Sequence, residues 1–159
     1  MDGRILAADH DGAYVLKLVG DVRVNLCSSI DDYLDQMFTD PGFESVFVDL
    51  CDAQGIDSTT LGLLAKLALT VKERFGFQPA IYSCDPGINR LIKSMGFQRL
   101  FELREEVCGN PEEAVAIPAV EGSESEVKDK VIEAHKVLME LSSENRARFK
   151  DLLTALERG

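Results

Sequence analysis

At 159 residues, 45% of them apolar, the chain can bury a core and has the length of one domain with about fifty residues to spare. Its formal charge of −11 argues against nucleic acid or an anionic membrane as the main partner, because either needs a basic surface. No apolar run reaches membrane-spanning length and no basic-then-apolar leader opens the chain, so the expectation is a soluble, cytoplasmic protein.

Residues 4–8 and 14–20 are short β-prone runs separated by Asp9-His10-Asp11-Gly12, whose Asp-Gly pair predicts a hairpin. Gly20-Asp21 is expected to end the second strand. From Leu26 the spacing turns helical, with Leu26, Ile30, Tyr33, Leu34 and Met37 on one stripe and Asn25 or Ser28 as the cap. Asp40-Pro41-Gly42 breaks that helix, and Ser45-Val46-Phe47-Val48-Asp49-Leu50 then reads as a buried strand.

The next stretch, Gly55-Ile56-Asp57-Ser58-Thr59-Thr60-Leu61-Gly62, opens a long apolar helix running to about Arg74. An acid followed by three hydroxyls at a helix start suits capping, since the first N–H groups lack intrahelical partners. The same position suits a phosphoryl group, which the helix dipole favours. Both readings stand on the residues alone. The helix carries a wide core stripe of Leu61, Leu64, Ala65, Ala68, Val71 and Phe75. Leu63 and Leu67 fall on another side, either under a neighbouring element or on a protein-docking surface.

Residues 77–84 predict a further strand, and Asp85-Pro86 opens a third helix in the N-cap and N1 positions. Ile88, Leu91, Ile92 and Met95 line that helix and Gly96 closes it. Residues 100–103 form a last short strand. The order β-β-α-β-α-β-α-β predicts an α/β fold: a small, mostly parallel sheet with an antiparallel edge hairpin and helices packed on it. This domain is expected over 1–107, followed by a linker over 108–122 and a helical tail over 123–159.

The tail opens on a capping box, Ser123-x-x-Glu126, followed by Val127, Val131, Ala134, Leu138 and Leu141 on one stripe. After Ser142-Ser143, Phe149, Leu152, Leu153 and Leu156 mark a second amphipathic helix. So short a pair hardly builds its own core, and packing on the domain, on a second copy as a homodimer, or on a partner remains open. Four cysteines, Cys27, Cys51, Cys84 and Cys108, show no C-x-x-C pair, and only His10 and His135 could join them, so no metal or other cofactor is expected. Three of the four lie in or beside apolar segments and read as small buried hydrophobes.

Taken together, Val46-Phe47-Val48-Asp49-Leu50, a gap, and then Ile56-Asp57-Ser58-Thr59-Thr60-Leu61-Gly62, preceded by the Gly20-Asp21 turn, resemble STAS domains of the anti-sigma factor antagonist type over residues 4–107. The resemblance implies a non-enzymatic, phosphorylation-gated binding module. Its unphosphorylated form binds an anti-sigma factor that is itself a serine kinase, phosphorylation abolishes binding, and a PP2C-type phosphatase restores it. By position the acceptor is Ser58. The family pattern often has glycine where this chain has Thr60, which makes Thr59 or Thr60 a second acceptor to consider. The implied partner-binding set is Gly20, Asp21, Asp57, Ser58, Thr59, Thr60, Gly62, Leu63, Lys66 and Leu67.

Two alternatives accompany this reading. One is a STAS-like subunit of another assembly, for lipid transport or stress signalling, in which Ser58 only caps. The other is a small α/β enzyme, with Asp49, Asp52 and Asp57 as a phospho-receiver's acid cluster. No Gly-rich phosphate loop and no G-x-S-x-G elbow supports an enzyme, and residues 77–84 lack the lysine a receiver wants.

Overall fold

The computed structural model describes residues 2–107 and 114–159. Strands β1 (Arg4–His10) and β2 (Ala13–Val22) form an antiparallel hairpin. Its turn residues Asp11 and Gly12 both have positive φ, 52° and 92°, as a two-residue hairpin turn requires. A Cβ on Gly12 would lie 1.8 Å from the Gly42 carbonyl oxygen, so only glycine fits. The Gly12 carbonyl in turn accepts from the backbone N–H groups of Glu44 and Ser45, tying the hairpin to the start of β3 (Ser45–Ile56).

The sheet order is β5-β4-β3-β2-β1-β6. The β2–β3, β3–β4 and β4–β5 pairs are parallel, with β4 at Ala80–Tyr82 and β5 at Glu102–Arg104. Helices α1 (Cys27–Thr39), α2 (Ser58–Phe75) and α3 (Pro86–Ser94) connect them, as the alternating pattern predicts. Leu16 and Leu18 of β2, Val48 and Leu50 of β3, Ile30 and Leu34 of α1, and Leu61, Leu64 and Leu67 of α2 share one core. Asp85 caps α3 by accepting from the Gly87 and Ile88 N–H groups, with Pro86 behind it. Gly76 closes α2 at φ 75°, its N–H bonded to the Val71 and Lys72 carbonyls.

Several expectations need correcting. Gly20-Asp21 does not end β2: Gly20, at φ 76°, sits at a register shift against β3 and bends the strand while pairing continues to Val22. Neither Asn25 nor Ser28 caps α1, which instead emerges from a 3-10 turn over Val24–Leu26 with no side-chain cap bond. Strand β3 continues past Leu50 to Ile56, with Asp52 and Gln54 exposed and Ala53 and Ile56 buried. Of the three cysteines described, only Cys27 is fully buried; Cys51 is half-buried and Cys84 exposed. Cys108 lies outside the described residues.

Part of the expected linker over 108–122 is described. Residues 108–113 lie outside the described residues, but β6 (Val115–Ala116) pairs antiparallel with β1, and the Val120 N–H donates to Ser29 Oγ. Residues 115 to 120 are thus tied to β1 and to α1. Beyond it, α4 (Glu124–Leu141) starts on the predicted capping box, and α5 (Ser143–Arg158) folds back against it. The tail packs on the domain: Leu138 and Phe149 are 0% and 7% exposed and belong to the common core. The buried Asn145 amide donates to the Met95 and Leu138 carbonyls, joining α5 to the end of α3 and to α4.

Candidate phospho-acceptor and docking site

The site forms where β3 delivers the chain into α2. Asp57 is extended (φ −81°, ψ 169°) and its Oδ1 accepts from the Thr60 N–H at 2.9 Å, so the acid does the capping and Ser58 begins the helix. Replacing Asp57 with alanine is expected to cost about 1 kcal/mol of unfolding free energy in urea titration, the usual worth of such a cap.

With the cap supplied by Asp57, the Ser58 hydroxyl is free for another partner. It does not simply face solvent: Ser58 is half-buried, and its Oγ lies 2.8 Å from Nε2 of His135 on α4. The imidazole Nδ1 is 2.7 Å from the Val131 carbonyl oxygen, which can only accept. Nδ1 therefore carries the proton, and in the neutral ring Nε2 accepts from the serine hydroxyl. His135 is 1% exposed, and its ring meets Phe149 edge to face, with centroids 5.1 Å apart. Spacing alone gave no hint of this pairing, since His135 is a single polar residue beside Ala134 on an apolar stripe.

The contact continues along α2. A Cβ on Gly62 would lie 2.4 Å from the Ala134 carbonyl oxygen and 2.6 Å from the Ala134 Cβ, so α4 crosses at a distance only glycine permits. One turn further, Lys66 Nζ reaches Glu133 of α4 at 2.8 Å and Asp31 of α1 at 3.1 Å. Lys130 of α4 meets the other Asp31 oxygen at 2.7 Å. Burial pushes the Asp31 carboxyl up, but the hydrogen bonds from Lys130 and Lys66 outweigh it and hold the group below its ordinary range. Burial likewise opposes the Lys66 charge, and Glu133 and Asp31 more than restore it. The bond to Asp31 leads in raising Lys130.

The pH consequence has a definite sign. A depressed carboxyl contributes stability above its ordinary value of about 4 and loses it as pH falls through the folded value. Raised lysines contribute below about 10.4 and lose it as pH rises through theirs. The clamp is thus complete from about pH 4 to about 10. In stability–pH curves, Asp31→Asn is expected to remove its share of the acid limb and to lower stability at neutral pH, leaving Lys66 and Lys130 facing each other without their shared carboxylate.

Of the other predicted residues, Thr59 and Thr60 are 5% and 0% exposed, which corrects the view of either as an accessible second acceptor. Leu63 and Leu67, at 3% and 0%, belong to the core and offer no docking surface here. The two-sided apolar pattern arises because α2 shares the core with residues of β2 and β3 and is also touched by α1 and α4. Asp21 and Asp57 do come together, lining an open cleft of about 360 Å³ with Arg23, Gln54, Asp85 and Ile88. Arg23 bonds Asp21 at 2.7 Å.

The acids proposed as a receiver cluster are otherwise engaged. Lys17 of β2, paired in register with Asp49, reaches Asp52 at 2.7 Å and Asp49 at 3.7 Å. The lysine missing from the later strand is thus supplied by the hairpin, as a counter-ion. Among the described residues, no group of three or more His, Cys, Asp or Glu could hold a metal ion, and no helix is long and apolar enough to cross a membrane.

A small α/β domain with a hydroxyl at the capped mouth of its second helix is the class these features define. The sequence model of the STAS domain family matches residues 4–110, and the chain belongs to that family. Among solved structures it resembles the crystal structure of an anti-sigma factor antagonist from Mycobacterium paratuberculosis. The two share 21% identity over 66% of this chain and 87% of that one, with a TM-score of 0.56, a likeness of fold. No curated protein matches the chain.

Proposed function

We propose that the protein is an anti-sigma factor antagonist of the partner-switching kind, a binding module and not an enzyme. Unphosphorylated, it binds and sequesters an anti-sigma factor that is also a serine kinase. Phosphorylation of Ser58 abolishes the complex, and a PP2C-type phosphatase restores it. The observation carrying this reading is the placement of Ser58: first residue of α2, half-buried, its capping duty taken by Asp57. The proposed docking strip is Ser58, Gly62 and Lys66, with Asp57, Asp21 and Gly20 at its upper end.

A phosphoryl group on Ser58 adds about −1.5 to −2 charge at a helix mouth whose dipole tolerates it, so α2 stays folded. The gate then works at the interface, where an unpaired charge costs on the order of 2–5 kcal/mol, roughly a thirtyfold to several-thousandfold loss of affinity. Capture of the same anti-sigma factor by the wild type and by Ser58→Ala, but not by Ser58→Asp, is the expected result. Equal capture by all three removes the switch.

A second reading, a STAS subunit of another assembly in which Ser58 is purely structural, draws on the Ser58–His135 bond, which gives the hydroxyl a task inside the molecule. Under it, Ser58 variants change the seating of α4 and leave partner capture alone.

A further inference from the structure

We infer that helix α4 of the tail is a cover in cis, seated over the Ser58–Gly62–Lys66 strip of α2 and released when Ser58 is phosphorylated. Ser58, Gly62 and Lys66 are four residues apart and therefore form one strip along α2. All three meet α4: Ser58 at His135, Gly62 beneath Ala134, Lys66 at Glu133. The cover thus spans two turns of the helix and includes the hydroxyl itself. The effect of a phosphate on the seat rests on these contacts; that Ser58 is phosphorylated, and that a partner competes for the strip, rest on the antagonist reading.

The seat is part apolar and part polar. Only Ala134, His135 and Leu138 of the 18 residues of α4 are fully buried. Val127, Val137, Met139 and Leu141 pack half-buried against the core, and the remainder of the grip is polar: the hydroxyl–imidazole bond and the Asp31–Lys66–Glu133–Lys130 clamp. The polar contacts can be exchanged for water, so they are the part of the seat that a change at Ser58 acts on.

Phosphorylation transfers the terminal phosphoryl group of a nucleoside triphosphate to Ser58 Oγ. The Oγ–P bond forms as the bond to the nucleoside diphosphate breaks, and the hydroxyl proton passes to a base of the kinase. The product has no hydroxyl hydrogen to offer His135. If the phosphate stays beneath α4, its oxygens confront the Nε2 lone pair, because Val131 holds the ring proton at Nδ1. If it turns outward, His135, 1% exposed, keeps a buried acceptor with no donor. With the ring neutral, either course weakens the seat. The dipole at the start of α2 meanwhile favours the phosphate, so the strain falls on the tail and not on the domain. In the antagonist reading, a partner must displace α4 to reach the strip, and the kinase acts on the uncovered form.

Amide hydrogen exchange on the full-length protein tests this without any partner. Residues 124–141 report the cover, and residues 46–50, in the central strand, serve as internal reference. Phosphoserine installed at position 58 during translation is expected to speed exchange in 124–141 at least tenfold, with 46–50 unchanged. Ser58→Asp carries the same test with a smaller charge and a smaller acceleration, should the phosphoserine chain fold poorly. Ala134→Glu, which forces a charged side chain between α4 and Gly62, should release the cover with Ser58 unmodified. Exchange in 124–141 that is unchanged or slowed by phosphoserine overturns the inference, the slowed case indicating a phosphate–imidazolium bond. That failure leaves the antagonist reading standing, whereas equal capture of a partner by all Ser58 variants removes that reading and leaves the exchange result intact.

Discussion

Lys17→Met is expected to destabilise the fold by about 3–5 kcal/mol, the usual cost of removing one member of a buried ion pair. Lys17 is 6% exposed and Asp49 0%, and they face each other across the β2–β3 ladder. Methionine retains most of the stem's volume, so the loss is chiefly electrostatic. Asp52 is 57% exposed and can turn to water, whereas Asp49 cannot. Burial disfavours the lysine charge, yet the hydrogen bond it donates to Asp52 and the fields of both carboxylates raise its pKa all the same. For a chain of this size the loss corresponds to roughly 6–20 °C in Tm. Thermal and urea unfolding of Lys17→Met, Asp49→Asn and the double variant form the check. The double variant should recover most of the loss, because asparagine keeps the oxygen that accepts from the Cys51 N–H and removes the stranded charge.

The second large effect is on binding. Ser58→Asp should weaken capture of the anti-sigma factor by at least about thirtyfold, the lower end of the range for an unpaired interfacial charge. Aspartate carries one charge where a phosphate carries nearly two, so phosphorylated protein should bind more weakly still. Ser58→Ala should bind at least as well as wild type, since it removes the bond to His135 without adding charge. An unaltered dissociation constant for Ser58→Asp, measured by titration calorimetry, would refute the gate.

The features legible in the sequence are those set by neighbouring residues. The Asp11-Gly12 turn, the Asp57 and Asp85 caps and the capping box at Ser123 all occur as the spacing predicts, because each is decided within four residues. What escaped depends on residues far apart. Gly20 reads as a stop until β3 is laid beside it and absorbs the kink as a register shift. Val115-Ala116 has no strand pattern of its own and pairs only because β1 leaves an edge uncovered. Leu63 and Leu67 look like a surface in one helix and prove to be core once neighbours close round α2. The Ser58–His135 bond joins residues 77 apart. Gly62 was the one local clue to the cover, a glycine inside an apolar helix where alanine would favour helix by about 1 kcal/mol.

The central claim is that the state of the Ser58 hydroxyl decides whether this domain holds an anti-sigma factor. Mass spectrometry of the protein isolated from its native cells, with bound and unbound pools separated before digestion, tests it most directly. An anti-sigma factor should accompany only chains unmodified at Ser58, with the Ser58 phosphopeptide confined to the unbound pool. The same phosphopeptide in equal proportion in both pools, or a bound pool without an anti-sigma factor, would contradict the account.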